Sequence, residues 1–266
     1  MGALATSVVD THHLISFPVE GLVAGAMVFA RLGGVVLTMP GFANVPPTAR
    51  LGVVLPLTVI LYPVVADLRL PETLPVLIVG MAVETGIGMA VGMVMAVLVS
   101  ALTIAGEMAS VNIGLHISSM LDPLTGNRAD AIGSLTSMMG IGLFLTTDTH
   151  LHCIAVLGES LRTLPPGSVI APGAVAEVLM LAAVTALETG VALAGPVIAF
   201  SFLIHLAISL LGRMAPNLNL FFSIGLSLNV AAGLIILMIA LPTMAVSFLP
   251  VLSLGAGWIA QLVGVQ

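Results

Sequence analysis

Five long runs of apolar residues dominate the chain, at about 21–41, 73–106, 132–158, 172–212 and 220–250. A helix needs about 20 predominantly apolar residues to cross the hydrocarbon core of a bilayer, and each run approaches or exceeds that length. The pattern predicts an all-α membrane protein of long, bent or broken helices.

Prolines and glycines set the expected ends of the early runs. Pro40 and Gly41 stop the first run, because proline removes a backbone donor and glycine frees the backbone. The stretch 51–66 is apolar but short, and it contains Pro56 and Pro63. It therefore predicts a kinked or packed helix rather than a simple membrane span.

The later runs are longer. The run 73–106 suffices for one long tilted helix or for a helical hairpin, and its glycines Gly86, Gly88 and Gly92 predict close packing against another helix. We expect 132–158 to form one helical stretch that ends near the Pro-Pro-Gly sequence at 165–167.

The last run contains two prolines. We expect it to end around Pro242 and Pro250, which leaves a short tail with Trp258, the only tryptophan. Nothing in the chain indicates a second domain, so 1–266 is predicted to be a single one.

Composition supports the membrane interpretation. Hydrophobic residues make up 59% of the 266 positions and charged residues 7%, against roughly 45–50% and 25% in soluble domains. Twelve carboxylates and six scattered arginines give a net charge of −6, so no basic face for nucleic acid is predicted. Lysine is absent, which excludes a P-loop lysine and Schiff-base chemistry.

No catalytic or metal-binding constellation is visible. The motifs H-E-x-x-H and G-x-S-x-G do not occur. Asp148, His150 and His152 lie close in sequence, but histidines two positions apart diverge on a helix. Cys153 is the only cysteine, so an intramolecular disulfide is impossible. The chain is predicted to have no enzymatic activity, metal or cofactor, and its N-terminus, which lacks a basic signal-peptide region, is expected to be retained.

Four ionisable residues lie inside the apolar runs: Arg31, Glu84, Asp148 and Glu188. A charge at the centre of a membrane helix costs roughly 2.5–3.5 kcal/mol, so each needs a partner or water. In one hypothesis Arg31 pairs with a carboxylate as part of an ion or proton path. The favoured one has these groups satisfied inside a protein assembly or placed at helix ends.

Two short segments resemble each other. The sequence Ala-Val-Glu-Thr-Gly at 82–86 is echoed by Ala-Leu-Glu-Thr-Gly at 186–190, and both lie in long apolar runs. Inverted repeats with midplane polar groups are typical of secondary transporters. A transporter with two related halves is therefore the alternative function.

Three motif regions resemble the FliR family of flagellar export proteins. The first is Pro-Gly-Phe at 40–42 with Val45, Pro46 and Arg50. The second runs from Gly-Glu at 106–107 through Asn-Ile-Gly-Leu at 112–115 to Asp-Pro at 122–123. The third is the segment 213–219 followed by Gly225, and His150, Ser160 and Pro165 fit the intervening pattern.

The chain departs from the family pattern at three positions. Asn112 and Asn217 stand where the family usually has glutamine, and Ser227 stands where proline is common. Because of these departures, the sequence does not decide whether the protein serves a flagellum or an injectisome. The flagellar branch of the family resembles the chain more closely.

The resemblance implies a non-enzymatic subunit of the flagellar type III protein export gate. It implies helical hairpins that join FliP-like and FliQ-like subunits in a pore complex, with FlhB-like and FlhA-like export components nearby. Unfolded proteins would pass through this channel in the bacterial inner membrane, at the flagellar basal body.

The resemblance also implies roles for particular residues. The polar stretch at about 106–123 is expected to project into the pore as a plug-like loop, with the residues Gly106, Asn112, Gly114, Ser118, Ser119, Met120, Asp122 and Pro123. Roles in assembly or as buried polar groups are expected for Arg31, Glu84, Glu188, Arg213 and Pro216.

Overall fold

A computed structural model describes residues 19–42, 45–65, 74–115, 130–214 and 225–265. These residues form seven α-helices and one short 3-10 helix at Tyr62–Val64, with no strand among them, which confirms the all-α prediction. The α-helices are α1 (Val19–Thr38), α2 (Pro47–Leu61), α3 (Leu74–Ile113), α4 (Ala131–Thr146), α5 (Thr149–Thr163), α6 (Pro172–Met214) and α7 (Leu226–Leu262).

Helix α3 is the centre of the fold. Its 40 residues form one continuous helix, about 60 Å long, so the hairpin alternative for this run is wrong. Helices α1, α4, α6 and α7 all pack against it. Because α3 is surrounded, apolar side chains such as Val94, Leu98 and Leu102 are completely buried.

Glycines set the close approach of α1 and α3. A Cβ atom on Gly88 would collide with the carbonyl oxygen of Arg31, and one on Gly92 would collide with the Thr38 hydroxyl. The predicted packing role is confirmed for these two glycines. Gly86 has no atom within 4 Å of a Cβ position, so it takes no part in the contact.

The stretch 132–158 is not a single helix. Helices α4 and α5 are separated by a break at Thr147 and Asp148, where the chain bends by 56°. Asp148 has a φ of 56°, in the left-handed region that aspartate tolerates better than most residues. Two threonines and an aspartate in succession were the only sequence signal for this break.

Pro242 and Pro250 do not end the last helix. Both lie inside α7, which continues to Leu262 and includes Trp258. A proline costs a helix one hydrogen bond, but packing holds the segments on both sides of each proline, since Leu237, Met244, Phe248 and Leu252 are buried.

The outer surfaces of several helices are apolar. Helix α2, which starts with Pro47 and contains Pro56, is buried only at Val54 and is one of the helices that could cross a membrane, contrary to the prediction for 51–66. Within the described residues, five helices are long and apolar enough to cross a membrane, and the bent pair α4–α5 would make a sixth span. In the candidate membrane spans formed by α6 and α7, only 28% of each span is buried within the chain. The protein is a membrane protein.

Candidate functional site

Arg31 and Glu84 form a buried ion pair between α1 and α3. The Arg31 Nε atom lies 2.5 Å from Glu84 Oε2, and the two side chains are 1% and 0% exposed. The approach is possible because the nearby glycines let the two helix backbones come together. Arg31 therefore does pair with a carboxylate, and its partner lies within this chain.

The remaining polar atoms of the pair bond to the end of α5 and the loop after it. Arg31 donates from Nη1 to Ser160 Oγ at 3.0 Å and from Nη2 to the Leu164 carbonyl at 2.9 Å. The Gly167 N–H donates to Glu84 Oε1 at 2.9 Å. Because these bonds satisfy both charged groups, the network ties four chain segments together and leaves neither charge available to a mobile ion.

Ser160, Leu164 and Gly167 were not predicted as members of this site. Ser160 lies one turn before the end of α5 and is completely buried. Gly167 has a φ of 94°, a conformation that favours glycine, and it follows two prolines that end the helix. That Pro-Pro-Gly sequence signalled a turn, but not that the turn presents its N–H to Glu84.

The first part of the predicted plug stretch is helical. Residues 106–113 form the last two turns of α3, and Gly106 packs closely against Thr136 of α4. Helix α3 ends at Ile113 and is followed by Gly114, which has a φ of 93°. The Gly114 N–H bonds to the Val111 carbonyl and the Leu115 N–H to the Ser110 carbonyl, each at 3.2 Å, which is the Schellman arrangement. The start of the predicted plug stretch, from Gly106 to Ile113, is therefore helix rather than loop.

The other predicted plug residues, Ser118, Ser119, Met120, Asp122 and Pro123, lie outside the described residues, as does Pro216. Arg213 is exposed in the last turn of α6.

Asn229 of α7 caps the end of α3. Its Nδ2 atom donates to the carbonyls of Asn112 at 3.0 Å and Ile113 at 2.8 Å, and the residue is 2% exposed. These carbonyls have no partner inside their own helix because the helix ends there. The cap fixes the point at which the chain leaves α3 for the predicted plug segment. Sequence reasoning missed Asn229, because one asparagine in an apolar run carries no sign of its partner.

Comparison with known proteins places the chain among export proteins. The family model described as "Bacterial export proteins, family 1" matches residues 22–254. The flagellar biosynthetic protein FliR of Caulobacter vibrioides is 33% identical over 224 residues, which cover 83% of this chain and 89% of that protein. The chain belongs to the FliR family.

Two further FliR proteins show the same relationship. FliR of Escherichia coli is 31% identical over 159 residues, or 60% of each chain. FliR of Bacillus subtilis is 25% identical over 240 residues, covering 86% of this chain and 90% of that protein. The part that matches the model of bacterial export proteins, family 1, includes the Arg31–Glu84 network and the Asn229 cap.

The transporter alternative is not supported for this FliR-family chain. Its two Glu-Thr-Gly segments have different environments, since Glu84 is buried and paired whereas Glu188 is exposed on α6. The Glu188 side chain makes no hydrogen bond or ion pair within the described residues. The two segments are therefore not equivalent halves of one ion site.

The Asp148–His152 segment forms no metal site in the part of the chain that the structure describes. His150 packs beside Phe144, with ring centroids 6.2 Å apart. Asp148 and His152 instead line an open cavity of about 610 Å³ between the α4–α5 break and α7. The two histidines diverge, as the spacing predicted.

Proposed function

We propose that this chain is a non-enzymatic subunit of the type III protein export gate of a bacterial flagellum. The observation that carries the proposal is the similarity to FliR of Caulobacter vibrioides, which extends over 83% of this chain. The location that follows is the inner membrane at the flagellar basal body, and the cargo is unfolded flagellar protein.

The partners that fit this proposal are FliP-like and FliQ-like subunits, with FlhB-like and FlhA-like components of the same apparatus. The apolar outer faces of α2, α6 and α7 support an assembly, because they leave large side chains such as Val59, Leu203 and Met238 exposed. Lipid and partner helices both suit such faces. The satisfied Arg31–Glu84 network supports a structural role for this chain.

Co-expression tests the assembly. We expect the tagged chain, extracted in mild detergent after expression with its neighbouring genes, to purify as a complex several times larger than its own 27.0 kDa. Native mass spectrometry should identify FliP-like and FliQ-like proteins in it. Recovery of the chain only as a monomer or homodimer would count against the proposal.

The second part of the proposal is that the polar stretch closes the gate. The chain beyond Gly114 would lie in the pore as a plug, held at its root by the Asn229 cap on Asn112 and Ile113. A polar segment without a hydrophobic core opens at small cost in free energy. Such a plug holds small solutes back and still moves aside for an exported chain.

Deleting residues 116–119 tests the plug. We expect assembly to stay intact and the closed gate to become permeable to small solutes, measured as dye release from vesicles that contain the complex. The deletion spares residues 112–115, because removing them would also remove the carbonyls that Asn229 bonds. Unchanged dye release from an intact complex would contradict the plug assignment, and Gly142→Ala, at a site with open space, is the control.

A further inference from the structure

Helix α6 packs against α3 through a stripe of small residues. Ala182, Ala186, Gly190 and Ala194 follow one another at intervals of four and are all buried. A Cβ atom on Gly190 would lie 3.0 Å from the carbonyl oxygen of Ala101. This contact fixes the rotation of α6 about its axis.

Glu188 consequently points away from the rest of the chain. It lies two positions from both Ala186 and Gly190, which is about 200° around the helix. It is exposed, and so are its apolar neighbours Val184 (43%) and Val191 (50%). The Glu188 carboxylate therefore lies among apolar side chains on the outer face of α6.

The position along the helix makes this charge unusual. Glu188 lies about 24 Å from the start of α6 and about 39 Å from its end. A short carboxylate side chain there does not extend past either end of the helix, and a charge facing lipid is costly. The apolar neighbours also argue against the wall of a water-filled channel.

No described residue supplies the counter-charge. Arg31 is bonded to Glu84, Arg162 to Glu159, and Arg50 donates from Nε to the Val45 carbonyl. Arg213 is on the same helix but about 37 Å away. The chain has no lysine, and Arg69 and Arg128 lie outside the described residues.

We propose that Glu188 forms an ion pair with an arginine or lysine on an apolar helix of a neighbouring gate subunit. The inference rests on the proposed function, since it needs the assembled gate. The partner surface is an apolar stripe that covers Val184, Leu187 and Val191 and carries one cation opposite the carboxylate. Charge complementarity in this dry contact fixes how the partner helix docks, because a displaced cation leaves both charges buried and unpaired.

Charge reversal in the co-expressed complex tests this inference. We expect Glu188→Lys to reduce the recovery of partner subunits with the tagged chain at least tenfold, and the nearly isosteric Glu188→Gln to reduce it less. The matched control is Glu177→Lys, because Glu177 is exposed on nearly the same face of α6 but lies close to its first turn. Glu177→Lys should leave recovery unchanged.

Folding is checked in the same samples through Cys153, which is buried in the native chain. A variant whose Cys153 stays protected from a thiol reagent is folded, so its loss of partners reports on docking. Restoration of the Glu188→Lys complex by replacing one partner cation with glutamate would support the pair and identify that cation.

Two results would overturn the inference while the proposed function stands. One is a wild-type complex of the expected mass that both Glu188 variants also form in full yield. The other is an intact Glu188→Gln complex with altered solute leakage, which would show that the carboxylate faces water. If the wild-type chain forms no complex, the proposed function and this inference both fail.

Discussion

Replacing Glu84 with alanine is expected to lower the free energy of unfolding by about 3–5 kcal/mol, the usual cost of removing one partner of a buried ion pair. The substitution leaves the Arg31 guanidinium, which is 1% exposed, without its carboxylate, and the Gly167 N–H without its acceptor. Unfolding on heating can be followed through the exposure of Cys153, the only cysteine, to a thiol-reactive dye.

The exposed Glu159–Arg162 pair provides the control. Its atoms are 3.3 Å apart and its side chains are 48% and 65% exposed, so Glu159→Ala is expected to cost about 0–1 kcal/mol. Replacing Arg31 and Glu84 together with methionine should cost less than Glu84→Ala alone, because no buried charge is left unpaired. Equal melting temperatures for Glu84→Ala and Glu159→Ala would show that the pair does not stabilise the fold.

Gly88→Ala and Gly86→Ala are expected to have opposite effects. A methyl group on Gly88 would enter the backbone of α1 at the Arg31 carbonyl, so the helices must separate at a cost of about 1–3 kcal/mol or more. Gly86 has open space at the same position, and glycine to alanine inside a helix gains up to about 1 kcal/mol. The same Cys153 assay measures both variants.

Separation of α1 from α3 should also weaken the ion pair, because Arg31 lies at the contact. Gly88→Ala combined with Glu84→Ala is therefore expected to cost less than the sum of the two single changes, because each change already weakens the same ion pair and residues in contact are not additive. If Gly88→Ala were as stable as Gly86→Ala, the close approach of α1 and α3 would be wrong.

Local sequence predicted most of the helices, but it predicted their ends and breaks less well. Apolar runs of sufficient length became helices because a backbone in an apolar environment must satisfy its own hydrogen bonds. Pro40 and Gly41 correctly predicted the end of α1. Pro242 and Pro250 failed as stop signals, since α7 is held by packing on both sides of each proline.

The sequence predicted some of the site residues but not the contacts between them. Arg31 and Glu84 stood out as charges in apolar runs, yet their 53-residue separation gave no sign that they pair. Asn229 and the Asn112 carbonyl are 117 positions apart, and nothing local to either residue indicates the cap. Such contacts depend on how whole helices pack, which single-sequence patterns do not contain.

The sequence by itself determined that this chain is an all-helical membrane protein and, through its motifs, that it resembles the FliR family. Only the tertiary structure decided which face of each helix is buried. Glu84 and Glu188 occur in nearly identical segments, but α1 covers the first, whereas the Ala186 and Gly190 contact with α3 turns the second outward. The reason is physical, because burial depends on neighbouring helices that are distant in the chain, and local composition does not specify them.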